Sequence, residues 1–177
     1  MASPKYASYV PLQRRIAHYV TNAFIVGVIR LALLLPYEAR LAFVGWVVQR
    51  VIGPVAGYRA RALENLAMIW PQIPSERREE IASKCLNNVG RSFIENYSAH
   101  DFPKRMAKNT PIGPGVTALV AAAKSGKPVI LVTGHYGNYE ATRACLVARG
   151  YDVGGLYRNM KNPYFNAHYV QTMEAFG

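Results

Sequence analysis

A histidine and a glutamate five positions apart carry the side chains best suited to acid-base chemistry. The stretch from 128 to 138, Pro-Val-Ile-Leu-Val-Thr-Gly-His-Tyr-Gly-Asn, contains His135, and Glu140 follows it. A carboxylate bonded to one ring nitrogen fixes the imidazole tautomer, so the other nitrogen can take a proton from a substrate hydroxyl. The spacing predicts a general base with its orienting acid. Four histidines and ten acidic residues produce this spacing often by chance, so a histidine with only a packing role is the alternative.

The surrounding pattern predicts a strand, a turn and a helix that would position this pair. Val129 to Val132 is a run of aliphatic residues typical of a parallel strand buried on both faces. Gly137 favours a turn, and Asn138 is suited to cap a helix that continues to Arg149. A second strand is predicted from Asp152 to Tyr157. The histidine would then lie at the carboxyl end of a strand, where open α/β sheets place their chemistry.

Four further residues are candidates for substrate binding. The backbone amides of Gly137 and Asn138, at the predicted helix start, are suited to stabilising an oxyanion. Arg158 and Lys161 follow the second predicted strand, and such basic groups bind phosphate. Exposed loop charges without a ligand are the alternative interpretation for this basic pair.

The composition points to an anionic partner. The chain has 21 Lys and Arg against 10 Asp and Glu, a net charge of +11. This positive charge would attract nucleic acid, an anionic membrane, a phosphorylated lipid or an acidic carrier protein. The basic residues are scattered, without dense tracts or zinc-ligand spacings, which disfavours nucleic acid. Cys85 and Cys145 are predicted to be buried free thiols, because two distant cysteines support neither a disulfide framework nor a metal site.

The first third of the chain is apolar. Tyr19 to Leu35 is a segment of 17 residues, apolar except for Thr21, Asn22 and Arg30. A spanning helix needs roughly 20 apolar residues. Leu41 to Val55 follows as a second apolar helix. We therefore expect residues 1–56 to be a membrane-anchoring helical region, either spanning the membrane or lying in its interface. Buried core helices are the alternative.

The rest of the chain alternates between helical and loop patterns. Apolar residues at helical spacing on one face of the longest predicted helix are Ile81, Cys85, Leu86, Val89, Phe93 and Ile94. The helices predicted from these patterns are Ala60 to Met68, Ser75 to Ser98, Val116 to Lys124 and Phe165 to Phe176. The stretch from Asp101 to Pro114, rich in proline and charge, is predicted to be a connecting loop.

Two motifs together resemble a known family. Leu131 to Glu140, followed by Gly154 to Pro163 (Gly-Gly-Leu-Tyr-Arg-Asn-Met-Lys-Asn-Pro), is similar to the lysophospholipid acyltransferase superfamily, most closely its lipid A late-acyltransferase (lauroyl/myristoyl) branch. Upstream positions that also fit are Asn65-Leu66, Trp70-Pro71, Arg77, Asn88 and Gly90. The resemblance extends from about Ile29 to Gly177. It implies an α/β fold, a glycerolipid-acyltransferase-like αβα half-domain with parallel strands, preceded by N-terminal hydrophobic membrane-associated helices.

The resemblance also implies an activity. Such an enzyme moves a fatty acyl chain from an acyl carrier protein thioester to a hydroxyl of a lipid A precursor, an anionic glycolipid, at the cytoplasmic face of the inner membrane. His135 would be the general base, Glu140 its orienting acid and Arg158 a phosphate ligand. No metal, organic cofactor or nucleic acid is required.

Other activities fit the same motifs. A related phospholipid, ornithine-lipid or mannoside acyltransferase shares the histidine and acid. Because the chain ends where the first half of family members ends, residues 57–177 would be the N-terminal part of the acyltransferase domain. A membrane-bound fragment without activity of its own is therefore a further expectation. Asn159 and Met173 depart from the proline and arginine common in the family.

Overall fold

The described part of the chain is built from helices. The computed structural model describes residues 10–134 and 136–175. The helices are α1 (Leu12–Leu33), α2 (Tyr37–Val47), α3 (Tyr58–Ile69), α4 (Ser75–Asn96), α5 (Asp101–Ala107), α6 (Gly115–Lys124), α7 (Glu140–Val147) and α8 (Pro163–Glu174). A π-helical turn (Val48–Ile52) and a short helical turn (Gly53–Val55) extend α2. The helices predicted from apolar periodicity are therefore confirmed, with ends shifted by a few residues.

The prediction of an α/β half-domain with parallel strands is wrong for the residues that the structure describes. Neither Val129 to Val132 nor Asp152 to Tyr157 is a strand, and no other described residue is in one. The side chains of Ile130 and Val132 are 90% and 93% exposed, where a buried strand was expected. A strand satisfies its backbone hydrogen bonds only through a neighbouring strand. The aliphatic run has no such neighbour among the described residues, and its side chains stay in contact with solvent.

The larger core joins α1, α2 and α4. Ile29 and Ala32 of α1 pack with Leu41 and Val44 of α2, and Ile94 of α4 is fully buried against them. Partly buried aromatic residues, among them some of α8, cover this cluster. The core therefore draws on helices from both sides of residue 56.

Helices α2 and α4 cross closely through small residues. A Cβ atom added to Gly90 would lie 2.6 Å from the carbonyl oxygen of Val44 and 2.9 Å from the Cα atom of Gly45. The buried row of α4 is accordingly Ala82, Leu86, Gly90 and Ile94. Cys85 and Val89 were expected on this face, but both are exposed, because close backbone approach requires the small residues to face α2.

A smaller core joins α5 to α7. Phe102 is fully buried against Ala144, with Met106 and Met173 at the edge. Asp101 to Ala107 was predicted to be loop because of its charges and its proline. The proline lies at the third helical position, where a missing N–H group costs little, and the burial of Phe102 holds the turn in place.

Helix α1 is long and apolar enough to cross a membrane, judged by length and composition. The bent pair Tyr37–Val55 and Tyr58–Ile69, with 84° between its two parts, passes the same test only if it is taken as one span. Core helices of soluble proteins and signal sequences also meet this criterion. Most of the helix is exposed, and Leu12, Phe24 and Leu31 are among its large apolar side chains that contact solvent.

Candidate active site

Residues 136–139 lead from the predicted general base into α7. His135 lies outside the described residues, so its pairing with Glu140 stays a prediction. Gly137 adopts a left-handed backbone conformation with φ of +62°, which confirms the turn predicted there. The chain then enters α7 at Glu140, two residues later than predicted.

The side chain of Asn138 contacts the first residue of α7 and the end of α4. Its Oδ1 atom accepts a hydrogen bond from the backbone N–H of Glu140 at 3.1 Å. Its Nδ2 atom donates to Oε2 of Glu95 at 2.8 Å. Asn138 was predicted to be the N-cap residue of this helix, but that position is Tyr139, whose side chain makes no capping hydrogen bond. Asn138, one residue earlier, still accepts from the first N–H group of α7. Both ends of the amide are occupied by protein groups.

Glu140 lies in the first turn of α7, where the helix dipole favours a carboxylate. Its Oε2 atom is 2.8 Å from Nε of Arg143, and each of these two side chains is only 13% exposed. Arg143 also donates to the carbonyl oxygen of Met173 in α8 at 2.9 Å. The arginine thus holds the carboxylate in one place and connects it to α8.

Glu95 was missed by sequence reasoning. It lies at the end of α4, and the hydroxyl of Tyr37 donates to its Oε1 atom at 2.5 Å. With Asn138 on its other oxygen, this carboxylate joins α2, α4 and the segment that leads into α7. An acidic residue directly after buried Ile94 was the available signal, but its partner lies 43 positions away.

An aromatic cluster lies beside the same helix. The hydroxyls of Tyr139 and Tyr169 are 3.5 Å apart, and burial followed by the Tyr139 contact raises the pKa of Tyr169. The ring of His168 stacks on Tyr97 with centroids 5.4 Å apart. The cluster packs α8 against the start of α7 and the end of α4.

The predicted phosphate ligands Arg158 and Lys161 are exposed in the segment before α8. Asn162 caps α8 by accepting from the N–H groups of Tyr164 and Phe165, and it donates to the carbonyl oxygen of His18 in α1 at 2.8 Å. This segment is therefore fixed to α1. In the described ranges, no hydrogen bond or ion pair brings Arg158 or Lys161 together with Gly137 or Asn138.

Comparison with known proteins assigns this chain to a class of enzymes that acylate lipids. Residues 11–177 match the family described as bacterial lipid A biosynthesis acyltransferase. The chain belongs to that family, as its motifs predict, and its function is of the lipid A acyltransferase type. No curated protein and no solved structure matches it.

Proposed function

We propose that this protein transfers a fatty acyl chain from an acyl carrier protein thioester to a hydroxyl group of a lipid A precursor. The observation that carries the proposal is the placement of Glu140. Glu140 lies five positions after His135. Its backbone N–H donates to Asn138, and its carboxylate accepts from Arg143. A carboxylate fixed in this way is suited to orient an imidazole in the adjoining loop.

The chemistry proceeds by direct attack. A ring nitrogen of His135 takes the proton from the acceptor hydroxyl while the oxygen forms a bond to the thioester carbonyl carbon. The carbon–sulfur bond then breaks, and the imidazolium returns the proton to the leaving thiolate. Glu140 stabilises the imidazolium between these two steps. No acyl-enzyme intermediate is needed, in keeping with the absence of a Gly-x-Ser-x-Gly motif from the sequence.

Gly137 and Asn138 contribute through their backbone amides. Because the side-chain amide of Asn138 is used by Glu95 and Glu140, only its main chain is available to a substrate. Backbone N–H groups near a helix start favour negative charge, and here they would stabilise the oxyanion of the tetrahedral intermediate.

The substrates are anionic, and the charge of the protein is complementary. Arg158 and Lys161 are exposed and would bind a phosphate of the acceptor. The net charge of +11 would attract an acidic carrier protein. Residues 1–56 would keep the enzyme at the cytoplasmic face of the inner membrane, where residues 57–177 meet both substrates.

Replacing the base tests the mechanism. We expect His135→Ala to lower turnover about a hundredfold to ten-thousandfold, the range that general acid-base catalysis supplies. Transfer of radiolabelled acyl chains from acyl carrier protein to a lipid A precursor, in membranes containing the protein, measures this. His100→Ala is the matched control, since that histidine is 78% exposed and pairs with Asp101. Turnover of His135→Ala close to that of the unaltered protein contradicts the proposal.

A further inference from the structure

The carboxylate of Glu95 determines which way the side chain of Asn138 points. A carboxylate only accepts hydrogen bonds, whereas an amide has a donating and an accepting end. The Nδ2 end of Asn138 therefore faces Glu95, and its Oδ1 end is left to face the N–H of Glu140. The reverse orientation would place two oxygens against each other and two N–H groups against each other.

Glu95 is itself held in place from a third element. The Tyr37 hydroxyl, at the first residue of α2, occupies its other oxygen. The aromatic ring of Tyr37 is covered by the guanidinium of Arg105, 4.1 Å from the ring centroid. These contacts leave Glu95 little freedom to turn away from Asn138.

We propose that Glu95 is a positioning residue for acyl transfer. It acts through Asn138 on the first turn of α7 and so determines where the carboxylate of Glu140 lies relative to the loop that carries His135. The inference rests on the proposed function, because it assigns a role to Glu140 as the orienting acid. Misplacement of a catalytic group by about 1 Å can cost roughly a hundredfold in rate.

Exchanging donor and acceptor tests this contact. In Asn138→Asp, the oxygen that faces Glu95 is repelled by its carboxylate, and this repulsion pulls the other oxygen away from the Glu140 amide. We expect kcat to fall about tenfold to a hundredfold, with the KM for the acyl donor unchanged.

The double variant Asn138→Asp with Glu95→Gln should restore the contact in the opposite sense. The new glutamine donates to the new aspartate and accepts from the Tyr37 hydroxyl, so most of the lost kcat should return. The single conservative variant Glu95→Gln should retain most turnover, because its oxygen accepts from Asn138 and its amide donates to Tyr37. Glu79→Ala is the matched control, because Glu79 lies on the same helix and forms an exposed ion pair with Arg59.

Hydrogen exchange provides a readout that does not require turnover. The backbone amide of Glu140 should exchange faster in Asn138→Asp and in Glu95→Ala, and at the original rate in the double variant. The inference is overturned if the Glu140 amide exchanges at the original rate in Asn138→Asp or in Glu95→Ala. It is also overturned if the double variant has the same kcat and the same exchange rate as Asn138→Asp.

The series separates the two proposals. If His135→Ala abolishes turnover while Asn138→Asp keeps the original kcat, only the role of Glu95 is refuted. If His135→Ala keeps turnover, the proposed mechanism fails, and the role of Glu95 in catalysis fails with it.

Discussion

The guanidinium group of Arg40 is buried where α2 meets the connection between α4 and α5. It lies 2.9 Å from Oδ2 of Asp101, and it donates to Oγ of Ser98 and to the carbonyl oxygen of Leu35. The hydroxyl of Ser98 in turn donates to the carbonyl oxygen of Ile94. Arg40 therefore joins α2 to the connection between α4 and α5.

Replacing this arginine should destabilise the fold. We expect Arg40→Met to lower the free energy of unfolding by about 1 to 3 kcal/mol, because the buried hydroxyl of Ser98 and the carbonyl oxygen of Leu35 lose their donor, while Asp101, 35% exposed, stays hydrated. Urea unfolding followed by circular dichroism measures the change. Arg59→Met is the control, since both side chains of its ion pair are exposed, and it should change stability by less than about 1 kcal/mol. Equal losses in the two variants would contradict this account.

The stability of the fold should depend on the protonation of His168. Its Nδ1 atom is buried, and it has no hydrogen-bond partner within the part of the chain that the structure describes. Burial, followed by the charge of Arg30, lowers the pKa of this histidine below its ordinary 6.5. The unfolded chain therefore binds the proton more readily, and the free energy of unfolding decreases as the pH falls below about 6.5.

A variant without the imidazole should lose part of this pH dependence. We expect the Tm of the original protein to fall between pH 7.5 and pH 5.5, and that of His168→Gln to fall less. Differential scanning calorimetry across this range makes the comparison, with His100→Gln as the exposed control. The hydrogen bond with His100 lowers the pKa of Asp101 below its ordinary 3.8. Asp101 is therefore ionised throughout this pH range and does not contribute to the change in Tm. If the Tm falls equally with pH in the original protein, in His168→Gln and in His100→Gln, the role of His168 is refuted.

Helices α2 and α4 can approach only because glycines lie where they cross. In Gly90→Ala the new methyl group would lie within 3 Å of the backbone of α2, so the helices must separate. We expect a loss of about 1 to 3 kcal/mol, typical of overpacking. Thermal unfolding measures it.

The control for this substitution lies on another helix. A Cβ atom added to Gly27 in α1 meets nothing within 4 Å, so Gly27→Ala should stabilise the helix by about 0.5 to 1 kcal/mol through its propensity. If Gly90→Ala proves as stable as Gly27→Ala, the result contradicts the close approach of α2 and α4 at Gly90.

The face of α4 illustrates the limit of pattern reading. Apolar periodicity identified the helix and its buried Leu86 and Ile94, but it placed Val89 inside, and Val89 is 55% exposed. Which side of an amphipathic helix is buried depends on what packs against it. Here α2 packs against the row of small residues on α4. The apolar pattern of α4 alone does not show that this row is the one in contact.

The protein as a whole combines an exposed apolar helix, α1, with a net charge of +11. The exposed large apolar side chains of α1 include Leu12, Ile16, Tyr19, Val20, Phe24 and Leu31. We propose that this face enters the lipid, in keeping with a function in lipid A acylation. The rest of the molecule, with its excess of basic residues, would stay at the anionic surface.

Membrane extraction tests this arrangement. We expect the protein to remain in the membrane pellet after high salt and after carbonate, and Val20→Arg with Phe24→Arg to shift it to the supernatant. Each arginine at the centre of such a helix costs about 2.5 to 3.5 kcal/mol on insertion scales. Ile112→Arg with Leu156→Arg is the control for added charge at exposed apolar positions. Release of the original protein by carbonate alone would contradict an embedded helix.

Local features of this protein could be read from its residues. The helices other than α5, the turn at Gly137 and the family itself follow from spacing and motif. Each is a short-range property, because a helix makes its backbone hydrogen bonds within one segment, and a cap or a turn depends on neighbouring residues.

Features that depend on distant partners required the folded chain. The aliphatic run at 129–132 has the composition of a strand, but a strand exists only where another strand accepts its hydrogen bonds, and none does so in the described ranges. The contact of Glu95 with Asn138 joins residues 43 positions apart, and that of Arg40 with Ser98 joins residues 58 apart. No local pattern specifies such pairs, because each forms only when elements far apart in the chain pack against each other.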